Sequence, residues 1–550
     1  MTIELTASVI VPTTILDTGA FTRSTTATYF DVDGVMQTAA IDVPRIGYDP
    51  VTHAHTGLIL EAAATNLLLR SQEFDNGSWT KFNSTAANTT LVTAPDGTTN
   101  ADLQTVTSTG TQGIYQSVAI SVNTMYTASV YFKAGTSAYF QLSFSDNVDS
   151  GCNGWVNVST FATYTAPFGG WTVTSLAVTS VGGGWYRAAL TCTSNSSDTT
   201  TVVYVGQANS SSLNTGTAGQ TIYTWGAQLE TGSVATSYIP TTSAAVTRAA
   251  DVVTGSGLVY CTTAEPATGE TLWNAATSYT VGQVAARTTT HHLYENLIAG
   301  VNATLPENAT TGVTPRWLDL GATNRWSQFD QKIGTATTST TSLTTIVKPG
   351  LGEGLALLDL IGVTAKISAT DAGSGVVIFE RTVDLDSTTI ESVFDWMFSD
   401  RVQKRNVVIT DIPAQYPNMV VAVTIESTTG SAIGVFAVGR AIFIGATEYG
   451  AGAGIINFGK VTDDGFGNRT WIEGDWANRV TLPMVGNTSD FNRIHRQLAT
   501  VRSTPCIYIG SALDSMEPLV CYGVFRDLYI TVPNYPSIAM NLEIDGMSNS

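Results

Sequence analysis

The stretch TIYTWGAQLETGSVATSYIPT, Thr221 to Thr241, decides the fold class. Read at period two, Tyr223, Trp225, Ala227 and Leu229 share one face, and Thr224, Gly226 and Gln228 share the other. Successive side chains of a strand leave on opposite sides, so this alternation predicts a half-buried β-strand. Glu230 to Ser233 then turn the chain. Nothing in the stretch reads as catalytic.

The same pattern runs upstream. YTASVYFK puts Tyr126, Ala128, Val130 and Phe132 on one face, and FQLSF does so with Phe140, Leu142 and Phe144. GGGWYRAALTC sends Tyr186, Ala188, Leu190 and Cys192 inward, with Trp185 and Arg187 on the opposite, solvent or partner face. TVVYVGQ follows. Short strands separated by turn signals predict a β-sandwich over residues 67–250. Before it, residues 1–66 hold a hairpin, ATYFDVDGVMQTA, turning at Asp33-Gly34. DVDG also opens like a calcium loop, but VMQTAA supplies no further oxygen ligands, which leaves a plain turn.

After it, residues 251–270 are rich in Thr, Gly and Ala and read as a linker. Residues 271–330 form a compact aromatic segment. Strands resume over 331–449, which reads as a second β-sandwich domain; its near-continuous apolar run Val420–Ile425 is expected to be covered on both faces. Residues 450–550 add further strands and the best helix of the chain. Ser489 is placed to cap it, and Phe491, Ile494, Leu498 and Val501 recur at helical spacing. The fold class is therefore mostly β and multidomain, with one short helix near the C-terminus.

Composition narrows the function. Of 550 residues, 43% are apolar and only 13% charged, with 50 glycines and a net charge of −19. The charged share is about half the usual one, so the surface is built from Ser, Thr, Asn and Gly or is covered by partner chains. Nucleic acid needs clustered Lys and Arg, yet the densest basic run is RVQKR, Arg401 to Arg405, so no nucleic-acid partner is expected. No apolar run approaches the length of a membrane span, and no membrane insertion is expected. Five scattered cysteines make no disulfide framework. The N-terminus lacks the basic start of a secretory signal, which fits synthesis in a reducing cytoplasm.

One resemblance covers about 230 residues. The segment ATYFDVDGVMQTAAIDVPRIGYDPVTHAHTGLILEAAATNLLLRSQEFDNGSWTK resembles a module of tail and fibre proteins of tailed bacteriophages, with Arg45, Tyr48, Asp49, Pro50, Gly57, Glu61, Thr65, Asn66 and Leu67 at matching places. GGGWYRAALT, WGAQLETGSVATSYIPT and VTRAAD continue the match through Asp251. The resemblance implies a jelly roll similar to carbohydrate-binding modules. It also implies a virion protein of the tail tip, baseplate or fibre, made in the host cytoplasm. Such a protein is expected to be a homotrimer that contacts other virion proteins and binds a host-surface glycan. A purely structural baseplate or head-fibre role, and a polysaccharide-degrading tailspike, remain open beside it.

A second, local resemblance is to small chitin-binding-type modules, carried by Trp273, Tyr279, Gly282, Tyr294 and Trp317. It makes Trp273, Tyr279, Tyr294 and Trp317 the candidate carbohydrate-binding residues, since sugar recognition uses flat exposed rings. In so small a module the same rings are also the available core. No cofactor is expected. His53 with His55, and His291 with His292, are too few for a zinc site by themselves. The acids Asp463, Asp464 and Glu473 are candidates for glycoside cleavage by residue type only. No nucleophile elbow, zinc-protease or P-loop pattern occurs, so the chain is not expected to be an enzyme.

Overall fold

The computed structural model describes residues 5–386, 392–398, 403–463 and 469–549. The chain is mostly β, and it divides into two compact units, residues 21–253 and residues 1–20 with 254–550.

The unit of residues 21–253 is a jelly-roll sandwich of two six-stranded antiparallel sheets. One runs Thr172–Ser180, Trp185–Thr193, Met125–Ala134, Thr221–Thr231, Asp102–Val106 and Ser84–Asn88. The other runs Thr163–Phe168, Gly151–Asn157, Tyr139–Ser145, Thr200–Ala208, Gly113–Ala119 and Thr80–Phe82. Phe132, Phe140, Phe144, Leu190, Val203 and Leu229 close the core between them. Phe132 and Phe140 stack with ring centroids 4.4 Å apart, joining the two sheets directly.

The strand Thr221–Thr231 departs from simple alternation. Its register against Met125–Ala134 slips between Ser129 and Tyr131, which face Gln228 and Trp225. Gly226, at φ 62°, is the extra residue. A bulge of one residue exchanges the two faces of a strand. Ile222 therefore points into the core on one side of the bulge, and Ala227 and Leu229 do so on the other. Tyr223 and Trp225 point away from it. They pack outside the sheet with Tyr131, Trp185, Tyr238 and Met36. The expected shared face of Tyr223, Trp225, Ala227 and Leu229 is thus split in two. Trp185, expected on a solvent or partner face, is buried there, with Nε1 donating to the Thr93 carbonyl at 2.8 Å.

The other unit combines a sandwich and a closed ring. A five-stranded sheet runs Gly257–Cys261, Leu343–Lys348, Met419–Glu426, Thr364–Asp371 and Val377–Asp384. Its Leu343, Ile367, Val421 and Val423 pack on Leu355, Leu357, Phe436 and Val438 of a nine-stranded sheet. Val435–Thr447 of that sheet is long enough to pair with Leu5–Pro12 on one side and, at Ala446 and Thr447, with Trp476–Asn487 on the other. Cys506–Ile509, Val520–Asn534 and Ser537–Asn549 complete a six-stranded ring. The helix Phe491–Thr500 packs Ile494 and Leu498 against its core.

Several expected boundaries shift for stated reasons. Residues 21–66 belong to the sandwich unit, not to a separate segment, because Ala64–Asn66 pairs with Val246–Arg248 and Met36 packs under Tyr131. Leu5–Pro12 is a ring strand of the other unit. The expected linker 251–270 contains the paired strand Gly257–Cys261. Residues 331–449 and 450–550 share the nine-stranded sheet. Asn487, not Ser489, accepts at the start of the C-terminal helix, from Ser489 N at 3.1 Å. A second helix, Val393–Phe398, has six residues. No helix among the described residues is long and apolar enough to cross a membrane.

Candidate functional site

Four residues of the resemblance motif, Arg45, Glu61, Arg248 and Asp251, converge in the sandwich unit, joined by Arg23. Arg23, Arg45 and Arg248 meet Glu61 and Asp251. Arg45 Nη2 lies 2.9 Å from Glu61 Oε2 and 2.5 Å from Asp251 Oδ2, and Arg23 Nη1 lies 3.0 Å from Asp251 Oδ1. Burial alone would raise the Glu61 carboxyl, but Arg45, Arg248 and two hydrogen bonds from Ser237 carry it below the ordinary carboxylate range. Asn66 donates to the Ala227 and Ile239 carbonyls and accepts from Leu68 N and Leu229 N. These residues knot the two ends of the unit together, and their role is structural.

The four candidate rings also converge, but inward. Tyr279, Tyr294 and Trp317 are 1%, 2% and 0% exposed and form the core of the small module with Ala285. Tyr279 and Trp317 meet edge to face at 5.1 Å. A ring buried on both faces has no surface left for a sugar, so these three are corrected to core residues. Trp273 is half-buried, and the Arg287 guanidinium covers its ring at 5.0 Å while bonding Glu307 at 2.9 Å.

The remaining candidates hold protein partners. His291 lies between Glu265 and Asp17, at 3.0 and 3.3 Å, and stacks on Trp326; His292 meets Asp319 at 2.8 Å. His53 Nδ1 contacts the Val32 carbonyl, and His55 sets its ring against Tyr48. Asp31 spends its carboxylate on Asp33 N, Val35 N and Gln37 inside the hairpin turn. Asp463 pairs with Arg469 across a hairpin. Asp464 and Arg401 lie outside the described residues.

The outer face of the sandwich carries a cleft of about 360 Å³. Ser175, Ala177 and Thr179 of one edge strand, Arg187 and Ala189 of the next, and Val234 line it. Arg187 was already singled out by its place opposite the apolar face. It donates Nε and Nη2 to Ser129 Oγ and Nη1 to the Thr236 carbonyl, and lies 5.3 Å over the Tyr131 ring. The guanidinium is thereby fixed beside a shallow wall of methyls and hydroxyls. Such a wall offers apolar contact to C–H groups and hydrogen bonds to hydroxyls.

No family model and no curated protein matches the chain. Among solved structures, the CBM22-1–GH10 modules of an endo-1,4-β-D-xylanase of Clostridium thermocellum, complexed with xylohexaose, are 12% identical, with a TM-score of 0.19 over 33% of this chain and 30% of that one. The tandem CBM22 domains of a Paenibacillus barcinonensis protein are 11% identical, with a TM-score of 0.20 over 70% of this chain and 100% of that one. A family GH78 rhamnosidase of Bacillus sp. GL1 is 7% identical, with a TM-score of 0.17 over 82% of this chain and 36% of that one. Likeness at these scores carries no argument, and the site rests on its own geometry.

Proposed function

We propose that the protein is a non-enzymatic virion component of a tailed bacteriophage, in the tail tip, baseplate or fibre, that binds a host-surface glycan through the sandwich cleft. The observation that carries the binding reading is the fixed Arg187 beside the open wall of Ser175, Ala177, Thr179 and Ala189. The phage assignment is supported by the motif resemblance, whose residues Arg45, Glu61, Asn66, Arg248 and Asp251 serve one structural purpose in this unit. Individual contacts would be weak. A homotrimer repeated around a particle would raise them roughly 10²–10⁴-fold through avidity.

The test is binding of the purified full chain to an array of bacterial surface polysaccharides. Replacing Ala177 by Trp fills the cleft from an exposed position, and Arg187→Ala removes its fixed cation. Both are expected to abolish binding; Ala177→Trp is expected to keep the melting temperature near that of the parent, and Arg187→Ala to lower it, because its bonds to Ser129 and Thr236 are lost. Binding that survives both changes removes the reading. Light scattering at micromolar concentration is expected to give three times the 58.0 kDa chain mass. A purely structural virion role is favoured by one observation, the exposed Trp471 and Ile472 on the hairpin of Lys460–Asp463 and Arg469–Ile472. Apolar side chains so displayed suit contact with another chain.

A further inference from the structure

The unit containing the C-terminus carries a second cleft, of about 390 Å³, within the range of about 300–1,000 Å³ usual for small-molecule sites. Trp476, Tyr522, Asp359, Arg405, Asn406 and Asn478 line it. Trp476 opens the strand Trp476–Asn487 and is 42% exposed, so its ring presents a surface at the mouth. Trp471 is also exposed, and it borders neither this cleft nor the one on the sandwich. Tyr522 is nearly buried beneath.

The polar wall lies at the surface, its Arg405 and Asp359 side chains 62% and 36% exposed. Asp359 adopts a left-handed backbone at φ 52°, and its carboxylate lies 3.1 Å from Arg405 Nη1. Asn406 Oδ1 accepts from Asp359 N at 3.3 Å, and Leu360 N donates to the Arg405 carbonyl at 2.9 Å. These bonds fix the loop ends against each other. They leave the other Arg405 donors, the Asn406 amide N–H groups and the whole Asn478 amide without a partner among the described residues. One positive and one negative side chain line the cleft, so it carries no net charge. A phosphate or carboxylate ligand would face Asp359 without a spare cation. An apolar ligand would strand four polar groups, at a desolvation cost. A flat ring beside planar amides and a paired Asp–Arg suits a ligand with an apolar C–H face edged by hydroxyls.

We propose that this cleft is a second saccharide site, taking a neutral pyranose with its C–H face on Trp476 and its hydroxyls on Asp359, Arg405, Asn406 and Asn478. It goes beyond the sandwich cleft, stands on different residues, and does not need that cleft to bind sugar.

Saturation-transfer NMR on the full chain tests it, with methyl glucoside, methyl galactoside, methyl mannoside and N-acetylglucosamine as probes and glucuronate as the charged comparison. At least one neutral probe is expected to receive saturation at its ring C–H protons. Trp476→Ala is expected to weaken that probe by about tenfold or more, as loss of a stacking anchor does. In the Ala177→Trp background, which closes the sandwich cleft, the signal that remains is expected to keep its dependence on Trp476. Asn478→Ala, at an exposed position, gives a second variant should Trp476→Ala misfold, and is expected to weaken the same probe. Silence from all four neutral probes, a signal insensitive to Trp476 and Asn478, or preference for glucuronate overturns the inference. A signal abolished by Ala177→Trp alone overturns it as well, and leaves the sandwich site standing.

Discussion

Arg45 and Asp251, 206 positions apart in the chain, meet at 2.5 Å with both side chains sealed from solvent. Asp251 also takes Arg23, and Arg45 also takes Glu61, so one carboxylate and one guanidinium tie three segments of the unit together. Removing one member of a buried ion pair leaves an uncompensated charge, which costs about 3–5 kcal/mol. Asp251→Ala would strand Arg23 and Arg45 together. The expected outcome is a loss of that size in the unfolding of residues 21–253, read by chemical denaturation of the full chain. Loss below about 1 kcal/mol would mean that water reaches the cluster and screens it.

Gly226 supplies the bulge of the deciding strand. A Cβ there would lie 2.9 Å from Tyr131 Cδ2, and the backbone sits at φ 62°. Left-handed backbone at a non-glycine residue costs roughly 1–3 kcal/mol. Gly226→Val is therefore expected to destabilise the sandwich by at least that amount and to move Trp225 from its place against Tyr131 and Tyr238, seen as a shift in tryptophan emission. A stable variant with unchanged emission would show that the bulge tolerates a side chain.

That bulge also marks where the sequence stopped being legible. Strand identity, the inward faces of Met125–Ala134 and Tyr139–Ser145, and the sandwich itself follow from period-two alternation, because both faces of those strands are continuous. At Gly226 one inserted residue inverts the count, and the isolated glycine inside an apolar run was the available signal. The ring of the other unit was out of reach for a different reason. Its closure joins Leu5–Pro12 to Val435–Thr447 and Cys506–Ile509, pairings between residues over 400 positions apart, and alternation says nothing about partners. The aromatic module was legible as a cluster, but not as core. Spacing gathers Tyr279, Tyr294 and Trp317 without saying which way the rings turn. The two clefts were missed because Ser, Thr, Asn and Asp in them look like any polar surface; Arg187 alone stood out.

Asp102 should make the sandwich pH-sensitive. Its side chain is buried, with Oδ2 accepting from Phe74 N at 2.7 Å and Oδ1 without a partner among the described residues. Burial pushes the carboxyl up to about 7, helped by Asp75 and opposed by the Phe74 N–H and Lys81. Between the ordinary value of 3.8 and about 7 the folded chain holds a proton that the unfolded chain has released. Stability therefore falls as pH rises through that window and levels off above it. Asp102→Asn keeps an acceptor for Phe74 N and removes the titration. It is expected to be more stable than the parent at pH 8 and closer to it at pH 4. Parallel pH profiles for the two proteins would place the proton elsewhere.

The small aromatic module gives the last test, because its rings separate core from ligand surface within 50 residues. Trp317 is sealed between the strand His292–Asn296 and Tyr279. Truncating a buried tryptophan removes its transfer energy and leaves a cavity, together about 3–5 kcal/mol. Trp273 is half-buried, under a guanidinium held by Glu307. Its truncation gives up less area and frees Arg287 into solvent, so a cost of about 1–2 kcal/mol is expected. The order Trp317→Ala worse than Trp273→Ala is the prediction, read as the downward shift of the melting transition of the unit that contains residues 254–550, in calorimetry of the full chain. Glycan binding by folded Trp273→Ala should match the parent, since the open clefts lie elsewhere. Reduced binding with unchanged melting would return Trp273 to the ligand surface and make the Arg287 stack a lid over it.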